Sequence, residues 1–154
     1  MPGRAKLYGL IRLRLTLQDL NASRNTETRM SNPLAVFCSQ LVAFFEDLAE
    51  TYPEEKDIGM AAQALKLLVK ANPRMVHTYF MEVVYREFYQ HILDEDEEYL
   101  LRRAHEILHG EYKELNYAFW IFDKHWTGMT ETNKQHVWKY IKSLILLAQR
   151  VPPA

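Results

Sequence analysis

From Pro33 to Val151 apolar residues recur at three- and four-residue intervals, the period of helices that bury one face. Ser31 or Asn32 can cap a first helix, with Pro33 in its first turn. Its inner stripe is Leu34, Phe37, Cys38, Leu41, Phe45, Leu48 and Tyr52, and Tyr52-Pro53 ends it. Asp57 can cap a second helix that turns Ala61, Leu65, Leu68 and Val69 inward. Asn72-Pro73 repeats the signal and opens a third helix, through Val76, Phe80, Val83, Val84 and Phe88 to about Leu93. The acidic run Asp94-Glu95-Asp96-Glu97-Glu98 suits the positive end of a fourth helix. It has neither the glycine turn nor the ligand spacing of a calcium loop. That helix runs to about His109 and stops at Gly110. A fifth, Tyr112 to about His125, carries Leu115, Phe119, Trp120 and Phe122 before Gly128 breaks the pattern. Thr130 caps the last helix, which aligns Val137, Ile141, Leu144, Ala148 and Val151 until Pro152-Pro153.

These elements predict an all-α, single-domain bundle of five or six helices over residues 33–151, with its aromatic residues in the core. Residues 1–32 differ. Ile11 to Gln18 alternates apolar and polar positions, the period of a strand, yet no second strand of comparable quality follows. The segment reads as a basic arm and linker, poorly ordered or strand-like: an arm that pairs with a partner's sheet edge, a short helix, or a poorly ordered tail. Met30 offers an alternative initiator. Within residues 1–29 six basic residues face Asp19 and Glu27, a net of +4, so the rest of a chain of net charge -1 carries -5.

Composition narrows the function classes. At 154 residues, 48% hydrophobic and 25% charged, the chain is long enough and apolar enough for one buried core. A net charge of -1 gives no bulk attraction for nucleic acid or anionic membrane, and four excess charges in an arm bind nucleic acid only weakly. No apolar run reaches the roughly 18 residues of a membrane span. The N-terminal leucines are interrupted by Arg12 and Arg14, which spoils a secretory leader. Cys38, the single cysteine, cannot form an intramolecular disulfide and sits on an apolar stripe, so it reads as a buried thiol.

One string names a reaction. His105-Glu106-Ile107-Leu108-His109 has the H-E-x-x-H spacing in which two histidines on one helix face hold zinc and the glutamate serves as general base. Its context argues against that chemistry. Leu100, Ala104, Ile107 and Leu108 share one side of the helix, which leaves His105 and His109 off it with Glu98 and Arg102. Arg102 and Arg103 are unfavourable beside a dication unless Glu98 and Glu106 engage them. Positions 112 and 115, where the extended motif needs glycine and histidine, hold Tyr112 and Leu115. A third ligand from Asp123, His125, Glu131 or His136 requires the chain to fold back.

Several stretches fall in a recognisable order: Phe44 to Leu48, Tyr52 to Ile58, Leu67 to Arg74 and Leu93 to Leu101. Trp126, Met129, Asn133-Lys134 and Val137 to Ile141 close the series. It resembles a family of small helical proteins of nucleocytoplasmic large DNA viruses, especially algal and amoebal ones. The likeness covers residues 44–148, about two thirds of the chain, and rests on helix-boundary and core positions. It implies a compact helical domain made in the cytoplasm of an infected cell or packaged in the virion. It implies no activity and no site residue.

The expectation from sequence is a non-enzymatic viral interaction protein or minor structural protein, acting through protein–protein contacts with no catalytic residue and no cofactor. The alternative is a zinc-dependent metallohydrolase with His105 and His109 as ligands and Glu106 as base.

Overall fold

Six α-helices make up most of the computed structural model, which describes residues 32–108, 119 and 121–153. They are α1 (Pro33–Thr51), α2 (Lys56–Ala71), α3 (Pro73–Phe80), α4 (Arg86–Leu93), α5 (Glu97–Leu108) and α6 (Glu131–Arg150). The all-α bundle expected from periodicity is what the chain forms, with no strand among the described residues. The arm at residues 1–31 lies outside them, as do His109, Gly110, Tyr112, Leu115 and Trp120.

Capping sets most of the starts. Asn32 Oδ1 accepts from the Ala35 amide at 3.1 Å and Asn72 Oδ1 from the Met75 amide at 3.1 Å, each with proline in the first turn. Thr130 Oγ1 accepts from the Asn133 amide at 3.2 Å. The second helix departs from expectation. It begins at Lys56 with Glu55 at the cap and no side-chain capping bond, so Asp57 lies in the first turn. The Glu55 carboxylate is engaged elsewhere, by Lys124 and His125.

α1 and α6 form the centre. Each buries nine residues, whereas α2 fully buries only Ile58 and Ala62. α1 packs on α2, α3 and α6, and α4 packs on α6 and α5. Tyr140 of α6 is fully buried and donates its hydroxyl to Asp47 Oδ2 at 3.3 Å. His77 of α3 is buried too. Its Nε2–H donates to the Ala148 carbonyl at 3.0 Å, and its ring meets Phe37 edge-on at 5.3 Å. The expected aromatic core is present: Trp126 is 1% exposed, stacks on Phe122 at 5.0 Å and meets Trp138 edge-on at 5.2 Å.

Two helical stretches are not α. The long arm from Pro73 to Leu93 is interrupted at Met81–Tyr85 by a π turn, closed by the Arg86 amide on the Met81 carbonyl. The segment expected as the end of a fifth α-helix is a π turn at Ile121–His125 followed by a 3₁₀ turn at Trp126–Gly128.

Candidate functional site

α5 carries the sequence motif, and its placement begins at the acidic hinge before it. α4 ends at Leu93 with Asp94 as its cap, after which the Glu95 amide bonds to the Ile92 carbonyl at 3.1 Å and the Asp96 amide to the His91 carbonyl at 2.9 Å. This is a Schellman closure, and Glu95 takes the left-handed position with φ 52° where glycine is usual. Asp96 then caps α5, its Oδ1 accepting from the Tyr99 amide at 3.2 Å while Oδ2 meets His91 Nδ1 at 2.9 Å. Glu95 reaches Lys142 at 2.6 Å, and Glu97 accepts from the Trp126 indole and from Lys134 at 3.2 Å. The acids of the run therefore join α4, α5 and α6, as a helix-start reading allows.

Along α5, Leu100, Ala104 and Leu108 are buried and Ile107 is half-buried, the side expected. The His105 side chain is 64% exposed, off that face. Its Nδ1 lies 2.8 Å from Asp123 Oδ1, so the chain does fold back and bring one of the proposed third-ligand residues to the motif. His125 goes elsewhere, to Glu55. Glu106 is engaged by Arg103 Nη1 at 2.5 Å, and Arg103 also grips Glu87 through Nε and, at 2.9 Å, through Nη2. Arg102 instead lies over the Tyr99 ring at 5.4 Å, so Arg103, not Arg102, is the residue that Glu106 engages. A general base needs its carboxylate aimed at a metal-bound water. In this arrangement that of Glu106 is directed along the helix surface to a guanidinium.

The Arg103 contact holds the Glu87 carboxyl below its ordinary range; burial opposes this, and the Tyr99 hydroxyl bond at 2.7 Å adds to it. The same bond raises the Tyr99 phenol. Tyr99 also stacks on His91, ring centroids 3.5 Å apart. The face of α5 that bears Tyr99, Arg103 and Glu106 is thus an ion-paired seam against α4.

A second group of donors was not singled out by spacing. Glu54, Glu55 and His125 bring ligand atoms within 4.8 Å of one another, among the described residues. Glu55 Oε1 already takes Lys124 Nζ at 2.6 Å and His125 Nε2 at 3.0 Å, and Tyr52 stacks on His125 at 4.1 Å. Burial raises the Glu55 carboxyl, but the two hydrogen bonds outweigh it and the net direction is down. A cation here would have to displace an ammonium from the same oxygen, so the group works as a latch between the α1–α2 loop and the π turn.

The surface feature that sequence reasoning missed lies on α2. Met60 and Leu67 are 67% and 68% exposed, and Ala64 and Ala71 are exposed beside them. Their spacing of four, three and four residues is a heptad seam, directly opposite Ile58, Ala62, Leu65 and Val69. Lys56 and Lys70, both exposed, flank it on one edge. The signal was present as two apolar stripes on one helix, of which only the inner was expected. No helix of the described residues is long and apolar enough to cross a membrane. No protein-family model, curated protein or solved structure matches the chain.

Proposed function

We propose that the protein is a non-enzymatic interaction protein that holds a helix of its partner against the outer face of α2. The observation that carries this reading is the seam Met60-Ala64-Leu67-Ala71, which runs for about 16 Å along the helix. Single exposed apolar side chains are ordinary on a protein surface, whereas a heptad stripe backed by a second apolar face is not. The two large residues alternate with alanines, which lets a partner backbone approach closely and sets knobs at Met60 and Leu67. Lys56 and Lys70 favour a partner with acidic residues along the facing edge, which would speed association and select register. The resemblance of residues 44–148 to small helical proteins of large DNA viruses supports an infected cell's cytoplasm, or the virion, as the setting.

The test replaces Met60 and Leu67 together by glutamate. Both are exposed, so the melting temperature should hold, while the proteins recovered by affinity capture with the native chain should be lost with the variant. If sedimentation shows a dimer that the variant turns into a monomer, the partner is a second copy. Recovery of the same proteins in the same amounts by both chains would refute the seam.

A further inference from the structure

A cavity of about 220 Å³ lies inside the bundle, reached between α2 and α3 and distinct from the outer face of α2. Its long wall is Val76, Phe80, Val84, Phe88 and Ile92, one residue from each turn of the arm that contains the π turn. We propose that this cavity is a binding site for a linear hydrocarbon chain of about nine carbons.

Size sets the length. An apolar cavity of roughly 150 Å³ takes up benzene, so one of 220 Å³ has room for about nine non-hydrogen atoms. Chemistry sets the class. Among the described residues lining it, the Tyr79 phenol is the only hydroxyl, amide or charged group, so nothing inside compensates a charge. Shape favours a chain over a ring. One wall follows a single helical arm from Val76 to Ile92, about 24 Å of rise, so a nine-carbon chain can lie along it without reaching its end.

The mouth lies where burial is incomplete. Met75, at 45% the one exposed residue among the described lining, sits there beside the half-buried Leu65, Leu68 and Tyr79; Val84 and Ile141 elsewhere in the lining are half-buried as well. A polar head group would stay in water there while the chain runs inward. The second argument is the backbone itself. Single π turns inside α-helices occur frequently at functional sites. This one contributes Val84 to the wall, and the other π turn contributes Phe122.

The test is calorimetric titration of the full chain with straight-chain alkanols of six, eight, ten and twelve carbons. Affinity should rise about fourfold per added methylene and level off near nine or ten carbons. Leu68→Trp at the mouth and Leu144→Phe deeper inside should each weaken decanol binding at least tenfold. Should Leu144→Phe fail to fold, Leu68→Trp decides alone, because its site is half-buried. The glutamate pair at Met60 and Leu67 should leave alkanol binding unchanged, which separates this site from the outer seam. Phosphatidylcholine vesicles that sediment with the native chain and not with Leu68→Trp would assign a bilayer lipid as the source of the chain. Decanol binding without such sedimentation would assign a free amphiphile. Absence of binding at every length, affinity that keeps rising at twelve carbons, or binding indifferent to Leu68→Trp would overturn the proposal.

Discussion

Replacing Glu95 by glycine and by alanine separates two effects that the native residue combines. Its φ of 52° is left-handed, which costs an L-residue about 1–2 kcal/mol that glycine does not incur. Its carboxylate meets Lys142 at 2.6 Å with side chains about a third exposed, a pair worth about 0.2–1 kcal/mol. The Lys142 contact, opposed by burial, also holds the Glu95 carboxyl below its ordinary range. Glu95→Ala loses the pair and keeps the strain, so it should destabilise by about 0.5 kcal/mol. Glu95→Gly loses the pair, removes the strain and gives back about 0.4–1 kcal/mol through the greater freedom of the unfolded chain. Glycine should therefore exceed alanine by about 0.5–1 kcal/mol and roughly match the native chain. In a chain of this length that difference is about 1–4 °C in melting temperature, measurable alongside urea midpoints at unchanged slope. Lys142→Met completes a cycle: it should cost about 0.5 kcal/mol in the native background and nothing beside Glu95→Gly. Alanine equal to or better than glycine would refute the left-handed hinge, and a Lys142→Met cost that persists beside glycine would refute the pair.

Cys38 is 1% exposed, its Sγ–H donates to the Pro73 carbonyl at 3.7 Å, and burial pushes the thiol up to about 11 against a lowering influence from Arg74. The folded chain therefore holds this proton where the unfolded chain has released it. Stability should fall from about pH 9 towards pH 11, with up to about 3 kcal/mol of the fall due to Cys38. Cys38→Ala should remove that share in alkaline urea titrations, while the raised Tyr52 and Tyr99 phenols leave the rest. A thiol reagent should react with native Cys38 only at the rate of global opening; full reaction within seconds under native conditions would contradict its burial. Glu87, Glu95, Glu55 and Asp96 are all held below their ordinary ranges, by Arg103, Lys142, Lys124 with His125, and His91 respectively. Their contribution is present above the unfolded carboxylate range and is lost as pH falls through and below it. The melting temperature should therefore drop between pH 5 and pH 3. Glu87→Gln should lower it at pH 6 and differ little from native at pH 3; a gap of equal size at both values would sink the Glu87–Arg103 assignment.

The fold was legible because caps, prolines and apolar stripes agree at most boundaries: Asn32-Pro33, Asn72-Pro73 and Thr130 each do what their chemistry predicts. The π turn at Met81–Tyr85 was legible in principle. Val76, Phe80, Val84, Phe88 and Ile92 are spaced strictly by four, and sixteen residues at 3.6 per turn carry an α stripe about 160° off its face. One extra residue in a π turn takes back about 100° of that drift, so the stripe stays on the cavity. A four-residue repeat held over four turns is thus a sequence signature of the bulge. The motif on α5 divides differently. Periodicity placed His105 off the buried face, but its Asp123 partner and the Arg103 hold on Glu106 depend on how distant segments meet, which no local period encodes. The second face of α2 escaped because one apolar stripe already satisfied the expectation of an amphipathic helix.

The polar cross-links and the apolar openings occupy different parts of the bundle. α5 is fixed to α4 and to the π turn at Ile121–His125 by Glu87–Arg103, His91–Asp96 and His105–Asp123, and it is tied to α6 through its own Glu97 and through Glu95 in the hinge before it. α2 fully buries two residues, is joined to α1 by the exposed Lys66–Glu46 pair, and has its entry loop latched through Glu55. An exposed pair contributes little, so α2 is held chiefly by the apolar packing of Ile58, Ala62 and the half-buried Leu65, Leu68 and Val69 against α1 and α3. The heptad seam is on its outer face and the mouth of the cavity is on its inner flank. A partner helix on the seam and a hydrocarbon chain in the cavity would therefore act on the same helix from its two sides. α2 meets its neighbours mainly through apolar side chains, so binding on either of its faces bears on the same packing.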